Sequence, residues 1–227
     1  MLNNSLYDYF TGKCIRRIAY KDSPKNAVYL TFDDGPNPLC TPQVLDLLKK
    51  HQVRATFFLI GNKAKAELEL TKRIQQEGHH IGNHSIDHNT KRYFSGAAGM
   101  TDWLKESQEI FEKLQIKTIG FRSPVGIKTP PLNKILSEKN IPLILWDVRF
   151  YDTKYGLSVK AVNKKLPSIS SGSIVLLHDS HQASKQNEFL LALEHLIIEC
   201  KKKGLSFLPL EESMITSSFA EKYSQLS

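Results

Sequence analysis

A chain of 227 residues, 41% hydrophobic and 24% charged, can bury a large core as one domain or two small ones, and no apolar run reaches the ~20 residues a bilayer requires. The net charge is +8, from 31 basic against 23 acidic residues, but the basic residues are scattered. Their tightest run, Lys201-Lys202-Lys203, ends a predicted helix, where cations complement the dipole, and no aromatics interleave with it, which argues against a nucleic-acid partner.

Residues 1–26 fit none of the motifs below and are read as an N-terminal extension, either an extra helix or a disordered arm. Met1 to Phe10 lacks a basic start followed by an apolar segment, so a cytoplasmic location is expected, with action outside the membrane by another export route as the alternative. Cys14, Cys40 and Cys200 are odd in number and lack C-x-x-C spacing, which suggests neither a disulfide framework nor a thiolate site. Ala27-Val28-Tyr29-Leu30-Thr31-Phe32 is β-branched and aromatic and predicts a buried strand over 27–32. Asp33 and Asp34 end it, and Gly35-Pro36 turns the chain. Thr41-Pro42 opens a helix with Val44, Leu45, Leu47 and Leu48 on its apolar side.

Further strands are expected at 54–60, 79–82, 117–121, 141–146, 173–177 and 205–208, with helices at 64–76, 99–114, 132–139, 158–166 and 188–202. No linker, low-complexity tract or repeat divides them. Strands alternating with helices predict a single α/β domain, over 27–215, with a mainly parallel sheet and a C-terminal tail at 216–227.

The unusual polar residues fall just past the strand ends: Asp33 and Asp34, His84 and His88, Arg122, Asp147 and Asp152, His178 and Asp179. In α/β sheets and barrels these ends share the face that carries chemistry. Any one of these residues reads equally well as an ordinary loop side chain; the same pattern at five strand ends predicts one pocket. Two adjacent acids ending a buried strand repel each other unless a cation or a shared proton offsets the repulsion, and a helix cap or Asx-turn is their other common use. His84-Ser85-Ile86-Asp87-His88 puts two imidazoles four apart, on one side of a helical turn. With Asp34 they make an Asp-His-His set that leaves room for water, suited to Zn²⁺ in a hydrolytic site, with Co²⁺, Mn²⁺ or Fe²⁺ as alternatives. His178, with a reference pKa near neutrality, could give a proton to a leaving group.

Together these motifs resemble the polysaccharide deacetylase family, the NodB-homology domain of carbohydrate esterase family 4, over about Val28 to Leu210. Thr31 to Pro36 resembles its first motif and His84 to His88 its H-(S/T)-x-x-H second. Arg122-Ser123-Pro124-Val125-Gly126 resembles the third, R-x-P-x-G, and Leu176-Leu177-His178-Asp179 the L-x-H-D fifth. The resemblance implies a distorted (β/α)7 barrel. It implies Asp33 as general base, Asp34, His84 and His88 as ligands of a divalent metal, and His178 as general acid. Arg122 would hold Asp33, and Asp152 would orient His178. Leu176 would line the acetyl pocket, the Val125 N–H would share the oxyanion, and Pro124 and Trp146 would complete the substrate-binding set.

The implied activity is removal of N-acetyl groups from N-acetylglucosamine units of a carbohydrate substrate. Two positions depart from the family pattern: Thr153 follows Asp152 where Trp is usual, and Val125 stands where many members carry Tyr. Both touch the sugar-binding surface, so an O-acetyl ester or a small-molecule amide is the alternative substrate. The missing aromatic wall would come from Phe150, Tyr151 or Trp146. Oligomeric state is not encoded in any pattern here.

Overall fold

The computed structural model describes residues 14–19 and 21–215; the expected tail at 216–227 and the first half of the N-terminal extension, 1–13, lie outside them. Strand β1 (Ala27–Asp33) is buried at every residue and takes parallel partners on both sides. Around it run β2 (Thr56–Leu59), β3 (His80–Asn83), β4 (Val148–Arg149), β5 (Ile174–His178) and β6 (Ser206–Phe207), in the order β3-β2-β1-β5-β4, with β6 pairing the start of β1. Single parallel bridges carry the sheet on from Asn83 to Phe121 and from Phe121 to Leu143. The segment that starts at Leu143 becomes β4 and pairs with β5, so the round closes. The architecture is the expected single α/β domain, a distorted barrel of seven staves.

Two of those staves are weaker than their apolar sequences suggest. The strands expected at 117–121 and 141–146 are reduced to isolated bridges. Pro142 has no N–H to give to a ladder, and Gly120 has φ +152°, where a Cβ would lie 2.8 Å from the Pro142 carbonyl oxygen.

Helices cover the outside: α1 (Thr41–Lys50), α2 (Gly61–Ala66), α3 (Leu68–Gln76), α4 (Gly96–Lys113), α5 (Pro130–Glu138), α6 (Asp152–Tyr155), α7 (Val159–Lys165) and α8 (Ala183–Lys202). The helix expected over 64–76 is two, broken at Glu67 (φ −109°, ψ 54°). There the Thr71 hydroxyl lies within hydrogen-bond distance of both the Ala64 and Glu67 carbonyls, a side-chain bond that competes with a regular helix. Alternation along β1 separates two cores. Val28, Leu30 and Phe32 pack outward with Val44, Leu45 and Leu48 of α1 and Leu193 and Ile197 of α8. Tyr29 packs inward with Phe58, Ile144, Ile174 and Leu210.

Residues 14–19 and 21–26 contain no helix, and 14–18 form a barrel element. Ile15 bridges Ile144 and Arg17 bridges Ser173, so this stretch fills the gap between the 143–145 stave and β5. Ile15 and Ile18 are buried in the inner core, worth roughly 1.5–3 kcal/mol each. Arg17 locks the seam by donating to Asp147 (2.7 Å), Ser173 Oγ (3.0 Å) and Ser170 Oγ (2.7 Å).

Candidate metal and catalytic site

The parallel register carries the strand ends to one mouth. Asp33 lies opposite Phe58 in β2 and His178 in β5, so the first and sixth expected strands deliver their polar residues side by side. Asp34 follows in the left-handed region, φ +73°, which ends the strand. Its carbonyl accepts from Lys63 Nζ (2.7 Å), and the Gly35 carbonyl accepts from the Ile60 N–H (3.0 Å).

His84 and His88 leave β3 through a loop, which overturns the expected helical turn. Ser85 and His88 are left-handed (φ +69° and +56°), and side chains hold the loop instead. Asn83 Oδ1 accepts from the Ser85 N–H (2.8 Å) and Ser107 Oγ (2.6 Å), and Ser85 Oγ accepts from the His88 N–H (3.0 Å). The two rings still meet, with centroids 5.1 Å apart. His84 Nδ1 donates to the Arg122 carbonyl (2.7 Å), which leaves Nε2 free as an acceptor, the usual second-shell arrangement of a metal-binding histidine. Nε2 of His84 lies 3.3 Å, and Nε2 of His88 3.4 Å, from the same oxygen, Asp34 Oδ1. That oxygen is buried and otherwise accepts no hydrogen bond. Burial pushes the Asp34 carboxyl up, but the His84 contact and the charges of His84, His178 and His88 outweigh it and hold the group well below the usual carboxylate range. Burial also keeps His88 below its ordinary pKa, favouring the neutral ring. Asp34, His84 and His88 thus form a group that could bind a metal ion, and the orphaned oxygen fits a cation.

Arg122 is fully buried and uses each nitrogen of its fork. Nη1 donates to Asp33 Oδ1 (2.8 Å) and Thr31 Oγ1 (2.8 Å), Nε to the Ile144 carbonyl (3.1 Å) and Nη2 to the Leu145 carbonyl (3.0 Å). Asp33 Oδ2, on the other side, is 3.7 Å from His84 Nε2. His178 Nδ1 is 2.9 Å from Asp152 Oδ1, while Asp152 Oδ2 accepts the His178 N–H (2.8 Å). Burial alone would lower the His178 pKa; the bond to Asp152 and the charges of Asp152, Asp33 and Asp34 win and raise it to about 9.

The residues expected at the substrate surface take distinct places. Leu176 is buried on the inner face between Thr31 and Arg149. Pro124 is buried, its carbonyl accepting from Tyr93 Oη (3.1 Å). Val125 is left-handed (φ +53°) with its side chain 59% exposed. Trp146 is partly buried and fills the space beside Gly126, where a Cβ would come within 2.6 Å of its ring. Of the three candidates for the aromatic wall, Phe150 is buried in the outer core while Tyr151 is 46% exposed. Asp147 does not join the group, because Arg17, Ser173 and the Ile174 N–H occupy it.

Tyr93 and His181 are supporting residues outside the motifs, and Thr31, which opens the first motif, takes the further role of accepting from Arg122. His181 Nε2 sits 2.7 Å from the His178 carbonyl and 3.6 Å from Asp152 Oδ2. The spacing to their partners in sequence, 31 residues for Tyr93 and 91 for Thr31, gives no local signal.

The family model for polysaccharide deacetylase matches residues 20–144 of this chain, more than half of it. A chitooligosaccharide deacetylase of Bradyrhizobium sp. is 33% identical over 208 residues, covering 87% of this chain and 95% of that protein. A peptidoglycan-N-acetylglucosamine deacetylase of Bacillus cereus is 35% identical over 191 residues, covering 82% and 86%. The crystal structure of the Bc1960 peptidoglycan N-acetylglucosamine deacetylase superposes with a TM-score of 0.81 at 32% identity, covering 94% of this chain and 96% of that one. The chain belongs to the polysaccharide deacetylase, or NodB-homology, family of carbohydrate esterases.

Proposed function

We propose that this protein removes N-acetyl groups from N-acetylglucosamine units of a polysaccharide or oligosaccharide, with a divalent metal, Zn²⁺ first, held by Asp34, His84 and His88. The observation that carries the reading is the Asp33–Arg122 pair set against the Asp-His-His group: one committed carboxylate beside two imidazoles that converge on a single orphaned oxygen of Asp34. The ion, when bound, supplies Lewis-acid activation of water and of the acetamide carbonyl.

The chain's own groups account for the proton movements. Asp33, kept in place by Arg122, takes a proton from the attacking water. The amide carbon gains that oxygen, and the carbon–nitrogen bond breaks. An amine leaves poorly until it is protonated, and His178 gives that proton from Nε2, since its Nδ1 is engaged with Asp152. Leu176 provides an apolar floor for the acetyl methyl, and the Val125 N–H is the chain's own donor for the developing oxyanion. Acetate and a free amine are the products.

The test is acetate release from chito-oligosaccharides and peptidoglycan fragments, with and without chelator. Asp33→Asn is expected to keep metal and lose turnover. Full activity from metal-free protein would sink the proposal. Thr153 in place of Trp supports a second reading, an O-acetyl ester substrate, and faster acetate release from acetylated xylan than from either amide substrate would favour it. Among the described residues no helix is long and apolar enough to cross a membrane.

A further inference from the structure

Five side chains stack from the barrel interior to its rim. The Arg122 guanidinium carbon lies 3.8 Å over the Phe58 ring centroid and 5.7 Å from that of Trp146. A second guanidinium, that of Arg149, lies 5.4 Å from the Trp146 indole and 3.9 Å over the Tyr151 ring. The order is therefore Phe58, Arg122, Trp146, Arg149, Tyr151: aromatic and cation alternating.

The two cations differ in what they hold. Arg122 has its nitrogens committed to Asp33, Thr31 and two carbonyls. The Arg149 side chain makes no hydrogen bond or ion pair with any described residue, and its Nε is buried without a partner. A guanidinium laid flat on rings keeps its N–H edge available in its own plane, and that edge matches a carboxylate.

Its position in the strand decides what it can reach. Arg149 lies opposite Leu176 in β5, and Leu176 lies opposite Thr31 in β1. Residues in register across parallel strands share a face, so Arg149 belongs to the inner face that ends in Asp33 and His178. Asp33, Asp152 and Asp147 have cationic or imidazole partners of their own, Arg122, His178 and Arg17. Tyr151, left-handed at φ +57° and 46% exposed, carries the stack out to the rim.

We propose that Arg149, seated on Tyr151 and Trp146, is a specificity-determining residue that reads a carboxylate on the sugar beside the reacting N-acetyl group. The substrate is then an anionic acetylated glycan, one in which N-acetylglucosamine neighbours a carboxylate-bearing sugar, rather than a neutral homopolymer. This deepens the deacetylase reading and rests on it for the identity of the reacting group.

The experiment uses the full chain loaded with Zn²⁺ and three oligosaccharides of equal length. One alternates N-acetylglucosamine with its 3-O-lactyl derivative, one is the methyl ester of that compound, and one is a neutral chito-oligosaccharide. Affinity is measured by calorimetry and turnover by acetate release, for the native chain, Arg149→Gln, Arg149→Lys and Tyr151→Ala. The free carboxylate form is expected to bind at least about tenfold tighter than its ester. Arg149→Gln should erase that preference, chiefly through KM, and Arg149→Lys should restore it in part. Carboxylate and ester binding alike in the native chain would overturn the proposal, and so would an Arg149→Gln loss equal on all three sugars. Carboxylate-selective binding that depends on Arg149 but comes without acetate release would leave this proposal standing and remove the deacetylase reading.

Discussion

Replacing Asp152 by Asn removes one negative charge and keeps the shape of the group, including an oxygen for the His178 N–H that Asp152 Oδ2 now accepts. His178 has its pKa raised from 6.5 to about 9 against the opposing effect of burial, first by the hydrogen bond to Asp152 and then by the charges of Asp152, Asp33 and Asp34. At 1.36 kcal/mol per tenfold change in proton affinity, that rise corresponds to about 3 kcal/mol. The side chain is 13% exposed, so solvent screens the interaction only modestly. Because the folded pKa is the higher one, this stability is complete below about 6.5 and lost as pH rises through about 9. Urea denaturation of the chelated protein between pH 6 and 10 is expected to show that loss, and Asp152→Asn should flatten it. The same proton is the one His178 would give to the leaving amine. The alkaline limb of kcat/KM in the native enzyme is therefore expected below about 9, since a bound dication offsets Asp34, and in Asp152→Asn it should move lower still. A His178 ring that still titrates near 9 by NMR in Asp152→Asn would refute the reasoning.

Gly35→Ala would place a Cβ 2.5 Å from both carboxylate oxygens of Asp179, a fully buried residue that accepts from Thr41 Oγ1. Overpacking there is expected to cost about 1–3 kcal/mol in denaturant unfolding and to weaken metal binding through the adjoining Asp34. His84→Ala deletes one Nε2 ligand and the anchor to the Arg122 carbonyl, and zinc competition titration should show at least about a hundredfold loss of affinity. Burial, only partly offset by the Thr41 bond, raises the Asp179 pKa from 3.8 to about 7. A raised acid stabilises below 3.8 and loses that contribution as pH rises through about 7, on the order of 4 kcal/mol. Asp179→Asn should therefore gain stability relative to the native chain above pH 7, which denaturation at pH 5 and 8 would check.

The strand ends were legible because a buried β-strand announces itself in Val, Tyr, Leu and Phe, and a polar residue directly after such a run is conspicuous. That is why Asp33, His84, Arg122 and His178 could be placed on one face from sequence. The route taken by the loops was not legible. Ser85, His88 and Val125 all have positive φ, and none is a glycine that would advertise it, so the histidine pair passed for a helical turn. The barrel-closing stretch 14–18 was missed for a different reason. A strand that pairs through one residue on each side, Ile15 with Ile144 and Arg17 with Ser173, shows too little alternation to stand out. The stack from Phe58 to Tyr151 joins residues from three staves and a loop, and no periodicity encodes it.

Asp33 and Asp34 show how the fold turns an electrostatic cost into a division of labour. In a continued strand, consecutive side chains point to opposite faces, and only one of the two acids would reach the mouth. The strand stops at Asp33, and the left-handed backbone of Asp34 brings the second carboxylate back toward the same imidazole: His84 Nε2 is 3.7 Å from Asp33 and 3.3 Å from Asp34. Two acids around one ring would repel each other, so each is given its own positive partner. Arg122 sits against Asp33 from within the barrel, and the open side of Asp34 faces His84 and His88, where a cation fits. Arg122 is also tied to the His84 ring through its carbonyl, so the group that holds the base and the group that orients a metal ligand are one residue. Substituting Arg122 would disturb both at once, and for that reason separate losses of metal affinity and turnover are expected from Asp34 and Asp33 variants but not from variants of Arg122.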